Sequence, residues 1–514
     1  MFEYGSHRLT ASKALKILRG ELKTRIAPES IEKIRSCHQH VLDIADRDAA
    51  VYGINTGFGP LCNTKIEASE TANLQRNLLL SHSVGVGNPI SNELASLMLV
   101  LKIHSLCQGY SGISLEIIER LLWHLEADVI PVVPEQGSVG ASGDLAPLSH
   151  LFLPLIGEGE VMDQGRRRNA RQALSERGMK ALSLHPKAGL ALINGTQFIL
   201  AHAVVLVDKL YNCLDHADII SSMMVEGLMA SSMPFHPELH QVRPHQGNLH
   251  VAARISSFLH GSPIVASHAN CDRVQDPYSV RCAPQVHGSS RSAWPHLKEA
   301  VEIEMNSVTD NPIVFSDEFT ISGGNFHGQP LALPIDYASL AAAELGSISD
   351  RRTYLALDGK YDIPKLLMQE TGVNSGFMIT QYTSAALVSE NKGLCFPSSA
   401  DSIPTSMGQE DHVSMGSIGG RKALRIVDNL ERILAVELLC AAQALDFRRP
   451  LRSTTILEAV HAKVREQVSF ATEDRIFSTD IDKLTTMIKS KVLGEITRNY
   501  VSDFSAFDDQ FEVY

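Results

Sequence analysis

Residues 135–150 read EQGSVGASGDLAPLSH. At their centre stand Ala141, Ser142 and Gly143, followed directly by Asp144. Gly143 has no side chain, so its backbone nitrogen can approach the carbonyl carbon of Ala141 with little steric penalty. Closing that bond would give a five-membered imidazolone. Ser142 carries a β-hydroxyl that can leave as water, and its loss would leave an exocyclic methylene conjugated to the ring. The chain would then hold an electrophile of its own making, whereas side chains offer nucleophiles, acids and bases and leave harder chemistry to cofactors. After the triplet, DLAPLSHLFLPLIG reads as the start of a helix, with Asp144 as its cap and Pro147 tolerated in the first turn. The positive end of such a helix would favour negative charge developing nearby.

Other residue types suited to chemistry fall in loops rich in Gly, Asn and Pro. These are VYGINTGFGP (51–60), LINGTQ (192–197), RVQDPYSVRCAPQVHG (273–288), SGGNFHG (322–328) and SIPTSMGQEDHVSMG (402–416). Polar loops held between rigid elements are where catalytic groups usually sit. The elements that must hold them have a helical period. SNELASLMLVLKIHSL (91–106) opens on Ser91, a good N-cap, and places apolar residues at i, i+3, i+4 and i+7. SLEIIERLLWHLEA (114–127) does the same, with an acid in its first turn. Long helical runs are expected at about 196–230, 329–357, 376–392 and 416–447. Strand-like alternation is scarce, with one small hairpin expected from NPIVF (311–315) and EFTISGG (318–324). The fold class is mainly α: a bundle of long, roughly antiparallel helices beside a loop-rich N-terminal part. A division into 1–194 and 195–514, within one integrated unit, is expected.

Formal net charge is −12, which argues against nucleic acid or an anionic membrane as partner, since both select basic surfaces. The eight cysteines (37, 62, 107, 213, 271, 282, 395 and 440) form no C-x-x-C pair, and free thiols in a reducing cytosol are expected. The N-terminus lacks a basic region followed by an apolar one, so no signal peptide is expected. Apolar stretches such as QFILAHAVVLVDKLYNCL are broken by His202, Asp208 and Lys209 and read as buried helices, not membrane spans. His236 and His240 share an i, i+4 spacing, but Pro237 and the lack of an H-E-x-x-H pattern count against zinc. No phosphate loop of Walker or Rossmann form is present, so neither a metal nor a nucleotide is expected.

GSVGASGDLAPLSH as a whole closely resembles the signature of the aromatic amino-acid ammonia-lyase family, in which Ala-Ser-Gly cyclises to methylidene-imidazolone (MIO). The resemblance covers roughly residues 8–500, and the other loops match the family in order. It implies a fumarase/aspartase-like helical fold, MIO formed from Ala141, Ser142 and Gly143, and a homotetramer whose active sites combine loops of more than one subunit. It also implies a cytoplasmic enzyme acting on a free amino acid. Two stretches point within the family to L-histidine, deaminated to trans-urocanate and ammonia. Ser81-His82 stands where plant phenylalanine lyases usually have Phe-Leu, and a polar pair suits an imidazole ring. Gln409 to Met415 matches the run of the histidine-specific members, where Glu410 could pair with an imidazole N–H or accept its proton. Met407-Gly408 departs from the family's common Ala-Asn.

The same resemblance assigns further roles. Tyr52, in a loop made pliable by Gly53, Gly57 and Gly59, matches the proposed base for the β-proton, and Tyr278 is a second candidate. Asn194 would hydrogen-bond the MIO oxygen or the substrate. Gln275 would line the pocket and Arg281 would clamp the substrate carboxylate. Phe326 would pack near the MIO, and Met378 matches a pocket residue. Whether amine or imidazole adds to the methylene stays open. The alternatives are a tyrosine or phenylalanine lyase or an aminomutase, and, in another class, a catalytically silent helical scaffold.

Overall fold

The computed structural model describes residues 1–47, 50–57, 66, 70–500 and 511. Long helices dominate it, as the sequence pattern requires. Ser91 caps the helix Asn92–Leu106 by accepting a hydrogen bond from the Leu94 amide at 3.2 Å. Leu115–Glu126, Gln197–Gly227, Gln329–Leu357, Met378–Leu394 and Gly416–Asp446 are the other expected helices. A further long helix, Ala283–Met305, runs through Pro295, and Pro334 lies inside Gln329–Leu357. The expected hairpin forms between Ile313–Val314 and Thr320–Ile321. Three more small sheets were not read from alternation, because their strands are only three or four residues long.

The chain divides into two compact units, each assembled from three separated stretches. The first comprises residues 1–205, 297–336 and 397–421. Its central helix is Asn92–Leu106, in which every residue from Leu97 to Leu106 is buried. A helix apolar on all sides is a core helix, yet this one carries Lys102 and His104 inside. Thr71–His82, Leu145–Phe152 and Ala188–Ile193 pack together in the same unit.

The second unit comprises residues 206–296, 337–396 and 422–514 and is built on the long helices. Its interior carries an ionic chain. Asp218 accepts from Arg254 Nε at 3.1 Å, Arg291 Nη2 at 2.6 Å and His287 Nδ1 at 2.8 Å. Arg352 donates to His287 Nε2 at 3.1 Å and to Glu437 Oε2 at 3.0 Å. The helix Gln197–Gly227 is long and apolar enough to cross a membrane by length and composition, but 83% of its apolar window is buried. The described cysteines are free thiols, and Cys62 lies outside the described residues.

Candidate functional site

The Ala141-Ser142-Gly143 turn leads straight into the helix Leu145–Phe152 and is held from three directions. Residues just before it are tied to the segment following Glu410. Met415 N donates to Val139 O at 2.9 Å, Ser414 Oγ to Gly140 O at 3.2 Å, and Ser417 Oγ to Ser138 O at 2.5 Å. Ala141 is buried in a small apolar cluster with Val413 and Met415. From the second side, Asn194 Nδ2 donates to Ser142 O at 2.6 Å, and Asp144 N donates to Gly195 O at 2.7 Å. Gly143 has φ +77°, and a Cβ added there would lie 2.1 Å from Gly195 O. No residue but glycine fits that approach.

From the third side, Ser142 Oγ donates to Glu410 Oε1. The other carboxylate oxygen of Glu410 accepts from Thr405 Oγ1 at 3.0 Å and Ser406 Oγ at 2.9 Å. Three hydroxyl donors therefore hold Glu410 as an acceptor. Its loop closes on itself through Thr405 N to Glu410 O at 2.9 Å, and Ser406, Met407 and Gly408 all take positive φ. Met407-Gly408, the departure noted in the sequence, thus forms part of a tight left-handed bend.

Asp144 plays a different part from the one expected. It stands at the N-cap position of Leu145–Phe152, but its carboxylate makes no bond to that helix. It accepts instead from Phe198 N at 3.0 Å and Ile199 N at 2.9 Å, in the first turn of Gln197–Gly227, and from Ser138 Oγ at 3.0 Å. Full burial raises its pKa to about 7, against the lowering effect of those bonds. The turn thus lies beside the N-termini of two helices, one of them capped by this buried acid.

These residues open on a cavity of about 1190 Å³. Ala141, Ser142, Tyr52, His82, Asn194, Phe326 and Glu410, all singled out from the sequence, line it together. His82 ends the helix Thr71–His82, and its Nδ1 lies 3.0 Å from Ser81 Oγ. Burial lowers the His82 pKa, while nearby Glu410 pulls the other way. Gly53 has φ +73° and Gly57 lines the cavity, while Gly59 lies outside the described residues. Asn194 is buried, and its Oδ1 has no hydrogen-bond partner among the described residues. A buried acceptor left open beside a reactive turn fits a site that receives a donor from a ligand.

Gln275, Tyr278, Arg281 and Met378 are not among the residues that line this cavity. They belong to the second unit. Gln275 and Tyr278 are exposed, Tyr278 by 72%, and Met378 by 36%. The Arg281 guanidinium stacks over the Tyr278 ring at 4.5 Å. His240, from the i, i+4 histidine pair, has its Nε2 2.9 Å from Pro234 O.

The geometry fits an MIO made from the chain. The triplet is clamped, its third position admits only glycine, and the Ser142 carbonyl already receives a side-chain donor. Comparison with known proteins decides the family. Residues 9–466 match the family described as aromatic amino acid lyase. The chain belongs to the aromatic amino acid lyase family. Within it, the chain is 45% identical over 493 residues to a histidine ammonia-lyase of Pseudoalteromonas atlantica, covering 96% of this chain and 97% of that protein. The crystal structure of a histidine ammonia-lyase from Trypanosoma cruzi superposes with a TM-score of 0.91 at 40% identity, covering 99% and 96%. A tyrosine aminomutase from Streptomyces globisporus superposes with 0.90 at 32% identity, covering 97% and 98%. The shared fold therefore spans more than one reaction, and side chains must choose between them.

Sequence reading missed Lys102, whose Nζ donates to Asn194 O at 2.8 Å beneath the site, and the Thr405 and Ser406 hydroxyls that hold Glu410. For Lys102 a signal existed: a lone lysine inside the apolar run LMLVLKIHSL.

Proposed function

We propose that this chain is a histidine ammonia-lyase, converting L-histidine to trans-urocanate and ammonia, with an MIO formed from Ala141, Ser142 and Gly143. The observation that carries the substrate choice is Glu410, a held carboxylate in contact with Ser142 and in one cavity with His82. A carboxylate acceptor suits an imidazole N–H and has no counterpart on a phenyl ring. The MIO would supply an electrophilic methylene that makes the substrate's amine a better leaving group.

The chain's own residues do the rest. Glu410 and His82 hold the imidazole ring, and burial disfavours the charged form of His82. Asn194 Nδ2, already on Ser142 O, would hold the ring oxygen of the MIO, and Asn194 Oδ1 is open to a substrate N–H. Phe326 bounds the cavity as an aromatic wall. Tyr52 or Tyr278 removes the β-proton, Arg281 binds the substrate carboxylate as a bidentate partner, and Gln275 and Met378 complete the pocket. The family resemblance supports an active site completed by a second copy, to which Gln275, Tyr278, Arg281 and Met378 would contribute, within a cytoplasmic homotetramer.

The test is ultraviolet product absorbance with L-histidine, L-tyrosine and L-phenylalanine, with Ser142→Ala as control. Urocanate from histidine alone, lost in the variant, is the expected result. Coumarate or cinnamate would move the chain to another branch of the family. No product from any substrate, with no loss of two waters in the intact mass, would leave a silent scaffold.

A further inference from the structure

Lys102 is wholly buried within the stretch Leu97–Leu106, every residue of which is buried. Among the described residues it has no ion pair, and its hydrogen bond goes to Asn194 O at 2.8 Å. The nearby carboxylate, Asp310, is already taken by Lys187 Nζ at 2.7 Å and Ser111 Oγ at 2.8 Å. That acid is thus bonded to Lys187 and not to Lys102. Burial without a dedicated counterion lowers the Lys102 pKa to about 7. An apolar residue in this position would serve the core better, since replacing buried charge with well-packed apolar groups is often neutral or stabilising.

What Lys102 holds is the Asn194–Gly195 peptide. The two residues it joins reach the reactive turn and the residue after it, through the side-chain Asn194 Nδ2 on Ser142 O and through Gly195 O, one peptide further on, which accepts from Asp144 N. The Gly195 backbone also lies against Gly143, close enough to exclude a Cβ there. Gly195 has φ +141°, so the backbone on that side has the freedom of glycine and does not by itself fix the peptide plane. A donor on Asn194 O does.

We propose that Lys102 is a positioning residue that fixes the Asn194–Gly195 peptide as a clamp on the Ala141-Ser142-Gly143 turn, and so sets both ring closure and the aim of the Asn194 amide. Ring closure joins Gly143 N to the carbonyl carbon of Ala141 and releases two waters. One carries the Ala141 oxygen, the other the Ser142 hydroxyl, and no oxidant or reductant is needed. The inference rests on the MIO reading above.

The experiment compares the whole enzyme with Lys102→Met and Lys102→Gln by intact mass, by kcat and KM on L-histidine per dehydrated site, and by thermal unfolding. The expected result for Lys102→Met is wild-type circular dichroism and assembly, a dehydrated fraction well below that of wild type, and a kcat per dehydrated site down about 10²-fold with KM little changed. Lys102→Gln, which keeps a donor one bond shorter, falls between. Full dehydration with wild-type kcat in Lys102→Met overturns the proposal, even if the unfolding temperature drops, because that pattern belongs to a purely structural lysine. If Lys102→Met does not fold, Lys102→Gln decides by the same two readouts. A wild-type protein that lacks the two-water deficit overturns the MIO reading itself and is distinguished by that one mass.

Discussion

The cavity around Ser142 and the ionic core of the second unit both bury polar and charged groups, but they complete them differently. In the second unit, Asp218 has three cationic or imidazole partners, and its pKa is held well below the ordinary carboxylate range, chiefly by Arg291 and the His287 hydrogen bond against burial. Arg352 and Glu437 are paired in the same way. Around Ser142, and among the described residues, Lys102 has no ion pair, Asp144 is bonded to neutral donors and pushed up to about 7, and Asn194 Oδ1 has no partner. In the ionic chain each charge faces an opposite one, although Arg291 Nε has no hydrogen-bond partner among the described residues, and charge so paired is scaffold. Incompletely paired buried groups gathered at one turn mark a place where a ligand or a reaction completes the set.

That contrast can be tested by breaking each side. The largest effect belongs to Gly143→Ala. Its Cβ cannot coexist with Gly195 O, so no two-water deficit should appear in the intact mass, and activity should fall by about 10³-fold or more. Dehydration at the wild-type level would show that the clamp is not tight. Next, Glu410→Gln removes the carboxylate while keeping the shape. kcat/KM on L-histidine should drop by about 10²-fold with little change in unfolding temperature, and a drop in stability alone would place Glu410 with the scaffold. On the other side, Arg254→Met strips Asp218 and Asp215 of a buried cation. Denaturant unfolding should show a loss of about 3–5 kcal/mol, while kcat per folded site stays within about twofold. An activity loss without destabilisation would dissolve the distinction between the regions.

The last effect is a pH dependence. Between the ordinary aspartate range and about 7, folded Asp144 keeps a proton that the unfolded chain has lost. Its contribution therefore lowers stability as pH rises through that window. Asp144→Asn removes this, so the variant should gain on wild type from about pH 4 to 7 in thermal unfolding measured against pH. Asp218, shifted the opposite way, stabilises above the ordinary aspartate pKa and loses that contribution as pH falls.

Much of the site was legible from local sequence. Ala141-Ser142-Gly143 offers the groups a cyclisation needs, but it is the whole signature around it that points to that chemistry, and Glu410 stands out in its loop. The helix starting at Ser91 follows from a cap and a period. Asp144 holds the expected N-cap position of Leu145–Phe152, but its carboxylate caps Gln197–Gly227 instead, because a sequence shows which residue follows it and not which helix end folds beside it. Lys102 was passed over because helical periodicity reports the apolar face and is silent about a single buried donor.

By itself, then, the sequence determined the covalent groups available and the ends of the helices, since both depend on neighbours within a turn or two. Tertiary structure decided that Ser142 meets Glu410 across 268 residues, that Asn194 reaches Ser142 across 52, and that Lys102 lies under Asn194 across 92. It also left Tyr278 and Arg281 outside the cavity lining of their own chain. Such meetings are set by how buried helices pack, which no short-range pattern encodes.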